Sequence, residues 1–218
     1  KPGGQRMLFS ATLDKDVDSL VKKYLRNPVT HSLANEKSTA TNMTHHVLVM
    51  DQAHKDLITS QIAARKGKSI FFVRTKHGAD KLAKKMNQAG VAVGALHGGK
   101  TQSQRSRVLE AFKSGKKSAL VATDVAARGI HVDDVSLVVH VDAPENHKDY
   151  LHRAGRTARA GAVGTVVTLA THKQRRGVHR IIKWQSSSHL SRLPEASRTV
   201  KRLTLGSTPL PTLPLPVN

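Results

Sequence analysis

The 218-residue chain has no cysteine. This excludes disulfides and thiolate metal sites and fits a reducing cytoplasm. Aromatic residues make up only 3% of the chain, too few for base stacking to be the main mode of nucleic-acid binding. Acidic residues are scarce too: 15 Asp and Glu face 36 Lys and Arg, a formal charge of +21. Such a surplus favours polyanionic partners: nucleic acid, phosphate-bearing ligands or an anionic membrane face. No apolar run reaches the roughly 18 residues a membrane span needs, and the first residues lack the core of a signal peptide. The thirteen histidines show no ligand spacing such as H-x-x-x-H, so no metal site is expected. The chain reads as soluble and cytoplasmic.

Its length leaves room for one ordinary domain with a core plus part of another. From residue 186 onward the sequence carries five of the eight prolines and neither helical nor strand periodicity, so residues 186–218 are expected to be a disordered tail. That stretch holds four basic and one acidic residue, so most of the positive charge belongs to the rest of the chain. Residues 45–185 alternate short, nearly continuous apolar runs ("HHVLVM", "SIFFVRT", "VAVGAL", "SALVAT", "VSLVVHV", "GTVVTLA") with amphipathic stretches. The runs suit strands covered on both faces. One intervening stretch places Ala79, Leu82, Ala83 and Met86 on a single face before Gly90, and another opens on the capping box Thr101-x-x-Gln104. This order predicts an α/β fold with an open, mostly parallel doubly wound sheet, whose ligands sit at the carboxyl ends of the strands. Residues 1–34 are expected to form a βαβ fragment of a preceding domain. In it "QRMLFS" is a strand and Val17, Leu20, Val21, Tyr24 and Leu25 form a helical stripe, with residues 35–44 as the linker.

Candidate chemistry falls at the strand ends. "SALVAT" runs into Thr123-Asp124, and "VSLVVHV" runs into Asp142-Ala143-Pro144. The helix expected after Pro144 delivers His152, Arg153 and Arg156 to the same edge. Arginines three apart after a glycine suit a polyphosphate, because each planar fork binds two oxygens and keeps its charge. On spacing alone, a solvated basic turn fits equally well.

The motifs "SAT" (10–12), "SIFFVRT" (69–75), "LHGGKTQSQRSRVLEAF" (96–112), "VATDVAARGI" (121–130) and "YLHRAGRTARAG" (150–161) occur in the order seen in DEAD-box RNA helicases of superfamily 2, which this chain resembles. The resemblance covers the tail end of the first RecA-like domain and the second. It implies an ATP-dependent RNA helicase half that is inactive alone, with ATP and Mg2+ held mainly by a first domain whose nucleotide loop and acidic segment lie upstream of Ser10. By the same resemblance Arg156 and Arg159 are arginine fingers, and His152 couples them to Ser10, Ala11 and Thr12. Arg128 and Asp124 join that interdomain coupling, and Gly129 and His131 lie at the nucleotide. Arg153 is given at most a supporting role in the turn. Thr75, Gly98, Gln102, Arg105 and Thr123 hold the backbone of single-stranded RNA, Gln102 partly by orienting Arg105. Backbone contact would make binding sequence-tolerant and salt-sensitive. A monomer is expected.

The chain departs from the family pattern at three places. His131 stands where an Asp usually touches the nucleotide ribose, with Asp133 and Asp134 close by; Gly99 stands where Asp is common, and Ala158 where Gly is usual. There are also two rival readings. Gly94-x-x-x-x-Gly99-Lys100-Thr101 satisfies a P-loop pattern, which would make the chain a self-contained NTPase, although Gly94 sits inside an apolar run and leaves only His97 to Lys100 as loop. Alternatively, the chain is a passive RNA-binding module without ATPase activity.

Overall fold

In the computed structural model the described residues are 4–9, 15–31, 43–127, 130, 132–159, 162–189 and 198–202. They fall into two compact units, Lys1–Glu36 and Lys37–Asn218.

Among its described residues the first unit contains one helix, α1 (Lys15–Tyr24). Residues 5–9 of the strand expected at "QRMLFS" have no regular structure, and neither do residues 28–31, so among the described residues only the helix of the expected βαβ fragment is present; residues 10–14 and 32–34 lie outside the described residues. The physical reason is local. An isolated strand has no ladder to complete, and Met7, Phe9, Leu20, Tyr24 and Val29 all stand exposed.

The second unit is built on seven strands: β1 (Met43–Val49), β2 (Lys68–Phe72), β3 (Val93–Leu96), β4 (Ala119–Ala122), β5 (Val135–His140), β6 (Gly164–Ala170) and β7 (Arg198–Arg202). They form a single sheet in the order β3-β4-β2-β5-β6-β1-β7, and every pairing is parallel. Its helices are α2 (Lys55–Ala63), α3 (Lys76–Gln88), α4 (Gln102–Lys113), the single-turn α5 (Asp124–Ala127), α6 (His147–Ala154) and α7 (Arg175–His189). This is the expected α/β, doubly wound sheet. The tail expectation is corrected at two places: α7 continues to His189, and β7 adds to the sheet beside β1, in register from His45↔Arg198 to Val49↔Arg202, while residues 190–197 and 203–218 lie outside the described residues. The free edge of β1 supplies the hydrogen-bonding template that the tail's own sequence does not advertise.

Alternate strand residues feed two cores, which is why the strands read as unbroken apolar runs. Phe71, Val121 and Val139 pack with Ile58 of α2 and Ala79, Leu82, Ala83 and Met86 of α3 on one face. Ile70, Phe72, Leu120 and Val138 pack with Phe112 of α4 and with Tyr150 and Ala154 of α6 on the other. The capping box at Thr101 and Gln104 forms as the sequence predicts, and Gly90 and Gly115 turn the chain out of α3 and α4 at φ +84° and +77°. No helix among the described residues is long and apolar enough to cross a membrane.

A buried polar cluster lies under α6. His45 Nδ1 is 2.5 Å from the Tyr150 hydroxyl, and the His140 ring meets the Tyr150 ring edge-on at 5.0 Å while its Nδ1 bonds Thr168 Oγ1 at 3.0 Å. Burial, helped by neighbouring His46, pushes the His45 pKa down to about 4. Burial first, then the charge of Arg153 and then His45, hold His140 well below its ordinary value. Both rings are therefore neutral in the folded chain, whereas in the unfolded chain they gain protons below about pH 6.5. Because the folded values are depressed, the stabilisation is complete above about pH 6.5 and is lost as the pH falls towards 4. His45 alone contributes about 3 kcal/mol to that loss. Thermal unfolding at pH 7.5 and pH 4.5 is expected to differ by roughly 6 to 12 °C, and a flat profile across that interval would remove the cluster from the account.

Candidate functional site

Strands β4, β2 and β5 are neighbours, so the loops leaving their carboxyl ends meet on one rim of the sheet. The chain reaches β5 only by crossing β2, and such a reversal of strand order is where doubly wound sheets bind ligands. A cleft at this rim is lined by Phe72, Asp124, Ala127, Asp149, His152, Arg153 and Arg156.

Asn146 caps α6, its side chain accepting from the Asp149 amide, so the helix starts at the rim and runs into the turn that carries the arginines. The three arginines then part company. Arg153 is 4% exposed; its Nε and Nη2 donate to both oxygens of Asp124 at 2.6 and 2.8 Å, its Nη1 donates to the Asp142 carbonyl at 2.7 Å, and its guanidinium lies 5.3 Å from the centre of the Phe72 ring. It is a fastening between α5, α6 and the end of β5. Arg156 and Arg159 instead donate to carbonyls. Arg156 reaches those of His152 (3.3 Å) and Ile130 (3.0 Å), and Arg159 those of Gly155 (2.9 Å) and Ile130 (3.3 Å). Among the described residues neither pairs with a carboxylate. Burial, and secondarily the charge of Arg159, hold the Arg156 guanidinium below its ordinary pKa. Two like charges leaning on one carbonyl oxygen form an electrostatically incomplete arrangement, and an anion bridging them would complete it.

Ala158, between them, sits buried in the left-handed region at φ +53°. A glycine at that position would be unstrained, and alanine costs roughly 1 kcal/mol.

The second group of predicted residues gathers at the ends of β2, β3 and β4, three adjacent strands. Thr75 caps α3, its hydroxyl accepting from the Gly78 amide at 3.0 Å. Gly98 opens onto free space, so a phosphodiester can approach the backbone closely. Arg105 Nη1 lies 3.4 Å from Gln102 Oε1 on the first turn of α4. Thr123 closes β4, its amide donating to the Leu96 carbonyl and its own carbonyl accepting from Ala127. Ser10, Ala11, Thr12, Arg128, Gly129 and His131 lie outside the described residues.

The P-loop alternative fails on geometry. Gly94 lies within β3, and a Cβ there would come 2.6 Å from Val108 Cγ1, so the glycine serves the packing of α4 on the sheet. The amides of Gly99, Lys100 and Thr101, which a phosphate would need, already donate to His97 Nδ1, the His97 carbonyl and Gln104 Oε1. Lys100 Nζ is 2.9 Å from Asp80 Oδ1, and His97 Nε2 is 2.9 Å from Asp80 Oδ2. Partial burial of Asp80 tends to raise its pKa, but the bonds from Lys100 and His97 outweigh this and leave it lowered. Lys100→Ala is expected to leave nucleotide binding unchanged in equilibrium titration, and loss of binding would revive the P-loop.

Two residues at this rim went unassigned in the sequence. Asp142 accepts from the Arg74 amide at 2.9 Å and from Lys55 Nζ at 3.2 Å. Lys55 lies outside every motif.

Comparison with known proteins agrees with the fold. The family model described as "Helicase conserved C-terminal domain" matches residues 51–161. The chain is 37% identical over 187 residues to the Arabidopsis thaliana DEAD-box ATP-dependent RNA helicase 30, covering 84% of this chain and 32% of the relative. It is 40% identical over 173 residues to the Drosophila melanogaster ATP-dependent RNA helicase p62, covering 76% and 24%. Among solved structures, Saccharomyces cerevisiae Dbp5 bound to RNA and ADP BeF3 is similar with a TM-score of 0.74 and 27% identity, covering 89% of this chain and 50% of that one. The Escherichia coli DEAD-box protein SrmB, bound to the regulator of ribonuclease activity A, is similar with a TM-score of 0.58 and 30% identity, covering 74% and 96%. The chain thus spans about a third or less of the curated relatives it matches, and over most of its own length it belongs to the helicase C-terminal domain family, with the RecA-like fold found in DEAD-box RNA helicases.

Proposed function

We propose that the chain is the C-terminal lobe of an ATP-dependent RNA helicase. It supplies the arginines that act on ATP and half of the surface that grips single-stranded RNA. The observation that carries this reading is the pair Arg156 and Arg159, both bonded to the Ile130 carbonyl and neither matched by a carboxylate among the described residues.

The residues fit a nucleotide's phosphates. Two planar forks beside a half-buried cleft can each take two oxygens, and they stay charged throughout. ATP, bound with Mg2+ mainly by a preceding lobe, would supply the phosphoryl group and the metal. This chain's part is then electrostatic: Arg156 and Arg159 stabilise charge where it develops, and Arg153, fixed to Asp124 and Asp142, holds the turn from which they project. The RNA side fits the same economy. The N-termini of α3 and α4 at Thr75 and Thr101, together with Arg105, offer amides and positive charge to phosphates without reading bases. By this reading the chain alone hydrolyses no ATP.

The test is complementation. Residues 1–218 alone should bind single-stranded RNA with a steep salt dependence and show no ATPase, while joining them to a matching first lobe should yield RNA-stimulated hydrolysis and duplex unwinding. Arg105→Ala should weaken RNA binding and make the salt dependence shallower by about one phosphate contact. A folded fusion that hydrolyses no ATP would leave only an RNA-binding module.

A further inference from the structure

Lys55 opens α2 with its side chain 6% exposed. Lysine is seldom buried unless paired, and a cation in the first turn of a helix faces the positive end of the helix dipole. Asp142 balances it, with Oδ1 3.2 Å from Lys55 Nζ. The same residue makes two more bonds. Its Oδ2 accepts from the Arg74 amide at 2.9 Å, and its backbone carbonyl accepts from Arg153 Nη1 at 2.7 Å.

Arg74 immediately precedes Thr75, the cap of α3 on the RNA side. Arg153 lies on α6, three residues before Arg156, and grips Asp124 with both of its other nitrogens. Bonds therefore run from the RNA-side turn to the arginine-bearing turn through a single residue. Only Lys55 neutralises that residue's carboxylate among the described ion pairs.

We propose that the Lys55–Asp142 pair is a positioning element for ATP hydrolysis. It keeps the turn after β2 in register with the turn after α6, so that RNA seated on the first biases the arginine geometry of the second. The proposal rests on the function read above. With Lys55 neutralised, the Asp142 carboxylate, 36% exposed, turns to water, the Arg74 amide loses its acceptor, and the two turns move independently.

The experiment measures ATPase rate against RNA concentration, at saturating ATP, for the chain joined to a matching first lobe, together with thermal unfolding. Lys55→Met keeps the hydrocarbon stem and removes the charge. The half-saturating RNA concentration is expected to rise roughly tenfold and the rate at saturating RNA to fall roughly tenfold, with hydrolysis in the absence of RNA changed less than twofold. Lys55→Arg should restore both constants. A merely structural pair would lower the melting temperature and leave both constants untouched, and that result overturns the proposal. Should Lys55→Met fail to fold, Asp142→Ala, which removes both the charge and the acceptor of the Arg74 amide, is read by the same two constants, and unchanged values overturn the proposal equally. If the unmutated protein shows no RNA-stimulated hydrolysis, the functional reading falls and the proposal falls with it. If it shows stimulation that the variants reproduce, only the proposal falls.

Discussion

Arg156→Ala is expected to lower RNA-stimulated ATP hydrolysis by the joined protein by about 10³ to 10⁵, while RNA binding stays within twofold. A loss of that size is what arginine fingers supply in comparable phosphoryl-transfer systems, roughly 4 to 7 kcal/mol of barrier. Arg156 has the features the role requires. It is half-buried, lines the cleft at the carboxyl rim, and rests on carbonyls that can release it to a stronger acceptor. The site is only half-buried, so water can replace those bonds and the folded chain should survive the change with little loss of stability. Arg156→Lys should recover little, because a point charge cannot reproduce the bidentate fork. Steady-state ATPase at saturating ATP and RNA, with RNA affinity measured in parallel by fluorescence anisotropy, checks both halves of the expectation.

Asp124→Ala should behave in the opposite way, with stability lost first. Its carboxylate is the bidentate partner of Arg153, whose side chain is 4% exposed, and removing it leaves a buried guanidinium with only the Asp142 carbonyl. Uncompensated buried charges of this kind cost about 3 to 5 kcal/mol. The lower end applies here because Asp124 itself is 37% exposed and water can enter. Thermal unfolding should fall by roughly 6 to 12 °C. Arg153→Met combined with Asp124→Ala should fall by less than the single Asp124 change, since the buried charge leaves with its partner. A double variant as unstable as the two single losses added together would contradict the picture of a fastening.

The sheet was legible in the sequence because its strands are buried on both faces. "SIFFVRT" and "SALVAT" are unbroken apolar runs, since Ile70 and Phe72 feed one core while Phe71 feeds the other. The capping box at Thr101 was legible because its chemistry is local. Strand β7 was not, because "RTVKR" has no apolar pattern and pairs only where the edge of β1 offers it a ladder. The expected strand at "QRMLFS" reversed that error: its pattern is apolar, but among the described residues the first unit offers it no partner strand. At the site, spacing placed Arg153, Arg156 and Arg159 in one motif, and only burial separates the fastening from the two available forks. Asp142 was legible as a strand end but not as a partner of Lys55, and Lys55 could not be found by pattern at all. They meet across 87 residues, and a lone lysine before "DLITSQIA" looks like any solvated helix start.

The most direct test of the account is the affinity of the joined protein, with RNA present, for ADP with aluminium fluoride compared with ADP alone, before and after Arg156→Ala. Because the guanidinium is assigned to charge that develops during phosphoryl transfer, the variant should lose about 10³-fold or more in affinity for the fluoride complex while its affinity for ADP changes only a few-fold. Equal losses for the two ligands, or no loss for either, would show that Arg156 does not complete the catalytic pocket.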